Sequence, residues 1–254
     1  MKIPSAGDAF LPLLKPDWPA PARVRAAVTT RIGGCSEGPY ASLNLGVHVG
    51  DDPQCVAANR AWLRRALNLN GEPVWLRQVH GVTVVPLPAP PDALEADAAV
   101  ATQAGVVCAI LTADCLPVLF CDEAGSVVAA AHAGWRGLLA GVLENTLQAM
   151  AVPPPRVIAW LGPAIGPRAF EVGAEVRNAF VARDPAAAAA FASSTSPGKY
   201  LGDLYALARL RLRAAGVQKI YGGNLCTHGD GERFYSFRRD GVCGRMASLV
   251  WLQD

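Results

Sequence analysis

Histidine is scarce in this chain: His48, His80, His132 and His228 are the only four in 254 residues. A multicopper cluster together with a blue-copper centre needs many more imidazoles than that. The seven cysteines, at 35, 55, 108, 115, 121, 226 and 243, include no Cys-x-x-Cys pair and are odd in number. A disulfide scaffold and a four-thiolate structural zinc site are therefore not expected. No apolar run approaches the roughly 18 residues of a membrane span. The opening stretch MKIPSAGDAFLPLLKP has an apolar patch broken at Pro12, too short and interrupted for a signal peptide. Lysine is rare as well, four against nineteen arginines, and Lys+Arg 23 against Asp+Glu 21 leaves a charge of only +2. The basic residues form no stripe of the kind nucleic-acid binding needs. The expectation is a cytoplasmic protein with neither a nucleic-acid nor a membrane partner.

What is present is core material. Hydrophobic residues make up 52% and charged residues 17%, so disorder is not expected. No linker or repeat divides the chain, which reads as one domain over 1–254, with residues 1–23 an N-terminal extension packed on it. Residues 24–32 read as a strand. After a Gly-rich loop, Asp52 and Pro53 form a capped helix start, with Val56, Asn59, Leu63 and Leu67 on one face. Short apolar runs over 74–79, 82–87, 105–111, 116–121, 126–132 and 156–161 have strand length. Leu138, Val142, Leu143, Thr146 and Met150 share one face of a helix expected over 138–150, and helices are also expected over 173–192, ending in an exposed alanine run, and over 203–215. The tail, 217–252, alternates short strands and Gly-rich turns. Strands outside simple βαβ alternation point to the α+β class.

Three strand ends carry borderline metal donors: His80 in Gln78-Val79-His80-Gly81, Cys115 in Thr112-Ala113-Asp114-Cys115, and His132 in Ala131-His132-Ala133-Gly134. Two imidazoles and a thiolate suit zinc with an open fourth position. The 35- and 17-residue gaps are not a zinc-finger spacing, and two hydrogen-bonded core histidines with a buried thiol fit the same residues. Gly134 and Gly137 let backbone approach a ligand, amides at a helix start favour an anion, and Arg136 adds a bidentate oxyanion contact. The alternative is a plain helix start with Trp135 in the core. In the N-terminal loop Asn44 and His48, with Arg60 on the next helix, are candidate substrate contacts; Asn44 equally suits a turn.

These stretches carry a resemblance. TTRIGGCSEGPYASLNLGVHVGDD, QVHG, EADA, TADCLPVLF, AAAHAGWRG, LGPAIGP, FEVG and CTHGDGERFYSFRRDGVCGR, in that order, make the chain similar to the bacterial laccase-domain family. Members were first described as multicopper polyphenol oxidases and are now associated with purine nucleoside phosphorolysis. The resemblance spans residues 24–252. It implies an α+β sandwich with mixed β-sheets inside and helices outside, and a zinc site of His80, Cys115 and His132 in a cleft. It also implies cleavage of adenosine, inosine, guanosine and methylthioadenosine by phosphate, with adenosine deamination beside it. Cys35 and Cys243 occupy turn positions where a non-thiol residue is expected.

On this reading the partners are a nucleoside and phosphate, held by Asn44, His48, Arg60, Gln78 and Gly134. Arg136 holds the phosphate, and Asp114 is a general base or a support for the thiolate ligand. Asp97 is a candidate support for His80, while Glu171 faces the cleft or caps a helix. Arg238, Arg239 and Arg245 line the entry or sit in surface ion pairs. The deaminase pattern His-x-Glu with Pro-Cys-x-x-Cys is absent, so any deamination uses another arrangement. Copper in the His₂Cys set is the alternative metal, but Met1, Met150 and Met246, the only candidate axial ligands, lie outside the motifs. A further alternative makes Cys115 the nucleophile of a Cys/His hydrolase acting on peptidoglycan precursors. The sequence does not fix the oligomeric state.

Overall fold

The computed structural model describes residues 11–254. Strand β1 (Val24–Val28) leads through an irregular loop to helix α1 (Pro53–Ala66). The start of α1 is as its sequence requires: the Asp52 side chain accepts from the Gln54 N–H at 2.8 Å, and Pro53 takes the first helical position. Six strands follow: β2 (Val74–Trp75), β3 (Val84–Leu87), β4 (Ala98–Ala101), β5 (Val107–Thr112), β6 (Leu116–Asp122) and β7 (Val128–Ala133). Next come α2 (Trp135–Ala140), α3 (Val142–Met150), β8 (Val157–Leu161), β9 (Glu171–Gly173), α4 (Ala174–Arg183), β10 (Phe191–Ser193) and β11 (Lys199–Gly202). The chain closes with α5 (Leu204–Ala214), β12 (Lys219–Gly222), α6 (Phe237–Asp240) and β13 (Met246–Leu252).

Two mixed sheets pack face to face. One runs β1-β13-β5-β2, the other β12-β8-β6-β7-β4-β3, and a small sheet β10-β11-β9 sits apart. Side chains alternate between the faces of each strand. Cys108 and Ile110 of β5 and Val250 and Leu252 of β13 meet Leu119 and Cys121 of β6 and Val128 and Ala130 of β7 between the sheets. The opposite residues of the first sheet, Val107, Ala109, Leu249 and Trp251, pack with Leu63 of α1. The outer face of the second sheet packs its Val118, Phe120 and Ala129 against Leu143, Phe180 and Leu207 of α3, α4 and α5. Because both faces are covered, β5, β6, β7 and β13 are buried along their whole length, which is why they read as unbroken apolar runs. The architecture is α+β, with sheets inside and helices outside. His132 has the same parity on β7 as Val128 and Ala130, which places its side chain on the inter-sheet side at the strand's end.

Several elements end elsewhere than the pattern suggests. The first strand stops at Val28, where buried Thr29 turns its Oγ1 to accept from the Ala247 N–H at 2.9 Å. The helix expected over 138–150 is two helices, broken at Gly141 with φ +113°, a conformation glycine adopts without strain. The helix expected over 173–192 stops at Arg183. Asp184 precedes Pro185, which disfavours helical backbone, and its side chain instead caps a short 3₁₀ turn by accepting from the Ala186 N–H at 2.9 Å. The alanine run sits in that turn, with Ala187 and Ala190 buried rather than exposed. Strands β9 and β11 have no counterpart in the sequence reading. Of the expected extension, residues 1–10 lie outside the described residues, while Leu14 bridges to Val28.

Candidate metal centre and cleft

His80 follows β2 in a tight turn and carries φ +62°, a left-handed conformation unusual for a side-chain-bearing residue. The turn is held by one carboxylate. Asp97, fully buried at the entrance to β4, accepts from three consecutive amides: Val79 at 3.1 Å, His80 at 2.9 Å and Gly81 at 2.6 Å. The same carboxylate accepts from His132 Nδ1 at 2.8 Å, and the Asp97 carbonyl accepts from the His132 N–H at 2.7 Å. Sequence reasoning gave Asp97 to His80. In the structure it grips the His80 backbone, and the imidazole it orients is that of His132. With Nδ1 so engaged, Nε2 is the His132 nitrogen left to meet a ligand.

Cys115 stands between β5 and β6, half-buried, with its Sγ 3.8 Å from His80 Nε2. Asp114 before it has φ +91° and a carboxylate that accepts three hydrogen bonds. Oδ1 accepts from Thr227 Oγ1 at 2.6 Å, and Oδ2 accepts from Ser236 Oγ at 3.0 Å and from the Arg238 N–H at 2.7 Å. Asp114 thus ties the 227–238 segment to the thiol's own loop.

One donor atom from each of His80, Cys115 and His132 falls within 4.8 Å of the other two. The imidazole rings meet edge to face with centroids 4.7 Å apart. Gly134 closes the cradle. A Cβ there would stand 3.0 Å from Cys115 Sγ, 3.1 Å from His80 Cδ2 and 3.6 Å from His132 Nε2, filling the space a metal needs. The electrostatics suit a cation. Burial pushes the Cys115 thiol up, but His132 and His80 beside it outweigh burial and bring it down to about 6. Burial would lower His132, yet the Cys115 thiolate and Asp97 raise it to about 9. For Asp97 burial raises the carboxyl, and the hydrogen bonds from His132, Gly81 and Val79 bring it below the usual range. A thiolate and two imidazoles on a cradle kept open by glycine fit a tetrahedral metal with one free position.

The three donors line a cleft of about 690 Å³. Of the other residues singled out in the sequence, His48, Gln78, Asp114 and Arg136 line it too, and Gly134 stands at the centre. Arg136 is exposed and lies over the Trp135 ring at 4.4 Å. It is the second residue of helix α2, which has only six. His48 is held below its ordinary pKa by burial and by the nearby Arg245 and Arg60. Gln78 spends its amide on Leu111, donating to its carbonyl at 2.9 Å and accepting from its N–H at 2.8 Å.

Asn44 and Arg60 are not among the residues lining the cleft. Asn44 is fully buried, its Oδ1 accepting from the Gly46 and Arg245 amides and its Nδ2 donating to Asp51 and the Gly46 carbonyl. Arg60 donates twice to the Leu45 carbonyl and lies over the Trp75 ring at 4.2 Å. Both shape the loop that carries His48. Glu171, Arg238 and Arg245 do line the cleft, whereas Arg239 pairs with Asp240. Phe170 and Phe237 also line it and carried no signal as single residues; Phe237 is 58% exposed despite its apolar ring.

Residues 25–253 match the family model described as multi-copper polyphenol oxidoreductase laccase. The chain belongs to this family, the one its motifs resemble. Its relatives include a protein named purine nucleoside phosphorylase from Pseudomonas aeruginosa, 59% identical, with 95% of this chain and 98% of that one aligned. Another is the purine nucleoside phosphorylase YfiH of Escherichia coli, 57% identical over 94% of this chain and 98% of its own. Among solved structures, a Neisseria meningitidis protein superposes with a TM-score of 0.90 at 53% identity, covering 95% of this chain and 99% of that one. YlmD from Geobacillus stearothermophilus gives 0.89 at 34% identity, covering 97% and 98%. Among the described residues no helix is long and apolar enough to cross a membrane.

Proposed function

We propose that the chain is a zinc-dependent purine nucleoside phosphorylase that converts adenosine, inosine, guanosine and methylthioadenosine with phosphate to the free base and the sugar 1-phosphate, and that it also deaminates adenosine. One observation carries the metal: three donors converge on a cradle that stays open because residue 134 is glycine. The substrate class rests on relatives of nearly full overlap that bear the phosphorylase name. Zinc is favoured over copper because neither Met150 nor Met246 lines the cleft, and Met246 Sδ accepts from the Tyr235 N–H instead. His80, Cys115 and His132 would hold the metal, which when bound supplies Lewis acidity toward a phosphate or sugar oxygen.

The chain's own groups do the rest. Arg136, exposed at the cleft and without an acidic partner among the described residues, positions the phosphate for in-line attack on the anomeric carbon. Phe237 and Phe170 offer apolar faces to the purine ring. Asp114 is better suited to positioning than to proton transfer, since its carboxylate is shared among three donors. Phosphate-dependent release of adenine from adenosine, followed by chromatography, tests the reading. Alanine at His80, Cys115 or His132 is expected to abolish both metal retention and release while the circular-dichroism spectrum stays unchanged. Full activity in any of the three would overturn it.

A second reading has its own observation. Cys115 Sγ stands 3.8 Å from His80 Nε2, and the imidazoles of His80 and His132 beside it hold the thiol down, an arrangement that also suits a cysteine nucleophile with its base. Hydrolysis of a peptidoglycan precursor, undiminished in protein stripped of metal, would favour that Cys/His hydrolase.

A further inference from the structure

Next to the metal cleft lies a second and larger cavity of about 830 Å³. The two share a wall: Glu171 and Arg238 line both, and Arg238 Nη1 donates to the Glu171 carbonyl at 2.8 Å. Arg168, Arg209 and Arg238, together with His228, are among the residues lining the second cavity, with Arg168 and Arg238 exposed. Its two acidic residues are otherwise occupied. Glu171 accepts from Ser194 Oγ at 2.5 Å and pairs with Lys199 at 3.2 Å. Asp203 caps α5, accepting from the Ala206 N–H at 3.0 Å.

Arg209 is structural, donating to the Ile220 carbonyl at 3.0 Å and the Gly222 carbonyl at 2.6 Å. The guanidinium groups of Arg168 and Arg238 pair with no carboxylate among the described residues, Arg238 lying instead over the Phe170 ring at 5.7 Å, and the side chains of Arg168 and His228 make no hydrogen bond there. Two unbalanced guanidinium groups in one concavity favour an oxyanion, and their paired N–H donors match phosphate oxygens. The volume is well beyond that of a bare phosphate and within the range of small-molecule sites. The Asn224 amide, also on the lining and unbonded among the described residues, suits a sugar hydroxyl.

We propose that this cavity is a second ligand site, separate from the metal, that binds a phosphorylated sugar through Arg168, Arg238 and His228. The inference does not depend on the phosphorylase reading, whose test is turnover, because its own test is binding. Ribose 5-phosphate and, as control, ribose are titrated calorimetrically into the wild-type chain and into folded Arg168→Ala, Arg168→Ala/His228→Ala and His80→Ala variants. The proposal expects ribose 5-phosphate to bind the wild type and His80→Ala alike, and ribose to bind neither. Affinity should fall at least about tenfold in Arg168→Ala, the loss expected for one charge-assisted contact, and further in the double variant. Equal affinity in Arg168→Ala overturns the proposal. So does loss confined to His80→Ala, which would place the sugar phosphate at the metal, and so does binding of ribose as tight as that of its phosphate. Absence of any ribose 5-phosphate binding to the wild type overturns it too.

Discussion

At the scale of single residues, the centre depends on one side chain that is missing and one that is buried. Gly134 has φ −60° and ψ 156°, which any residue can adopt, so its glycine is required by space rather than by backbone conformation. Gly134→Ala should therefore fold normally and lose the metal, because the new Cβ stands 3.0 Å from the thiolate sulfur. Metal content beside a thermal melt checks this, and full occupancy in the variant would contradict it. Asp97 accepts from three amides and one imidazole without exposure to water. Asp97→Asn replaces an oxygen acceptor with a donor that must face an N–H. Removing the charge should weaken metal binding by roughly 10–100-fold and destabilise the fold by about 1–3 kcal/mol. Competition with a chelating dye measures the first and denaturant unfolding the second.

The three donors that could hold a metal were legible in the sequence because soft and borderline donors stood at three strand ends, and the motif order around them named the family. The role of Asp97 was only half legible. Its neighbour on β7 is fixed by antiparallel pairing of Ala98 with Ala131, a non-local register that the local string EADA does not contain. Asn44 and Arg60 looked like substrate contacts because their residue types suit that role. Their hydrogen bonds to the Gly46, Arg245 and Leu45 backbone appear only once the loop is folded.

At the scale of elements, caps and breaks decide where each piece stops. Asp52 and Pro53 are local signals, and α1 begins where they say. Gly141 and the Asp184-Pro185 pair are local too, yet periodicity alone carried the expected helices across them. Strands β9 and β11 have three and four residues, too few to show a period, and exist through pairing with each other.

Asp122 governs the β6–β7 turn, accepting from the Ser126 N–H at 2.6 Å, Ser126 Oγ at 2.7 Å and the Val127 N–H at 3.0 Å. Burial raises this carboxyl, but those bonds outweigh it and leave its pKa depressed. A depressed carboxyl stabilises the fold at any pH above its unfolded value, and the stabilisation disappears as pH falls through the folded one. Stability should accordingly drop on acidification below the ordinary carboxylate range, less steeply in Asp122→Asn. Urea midpoints from pH 7 down to 3 measure this, and identical slopes would contradict it.

For the whole molecule, the two packed sheets do the folding, and the three donors that could hold a metal come from their ends. The donors arrive from the turn after β2, the β5–β6 connection and the end of β7, each anchored by bonds that do not involve a metal. Chelation should thus leave the secondary structure intact. On the zinc reading it should lower the melting temperature, because a metal bound only to the native arrangement contributes about 2.7 kcal/mol at a hundredfold excess over its dissociation constant. At roughly 2–4 °C per kcal/mol for a chain near this size, calorimetry would read a drop of about 5–11 °C, restored by zinc. Unfolding on chelation would contradict the division of labour between sheets and metal.

The most direct test of the account is the metal content of protein purified without added metal or chelator, measured by mass spectrometry for the wild type and for Cys115→Ala. The account predicts close to one zinc per chain in the wild type and almost none in the variant. A wild type that is folded and releases adenine from adenosine at full rate with no zinc would contradict it.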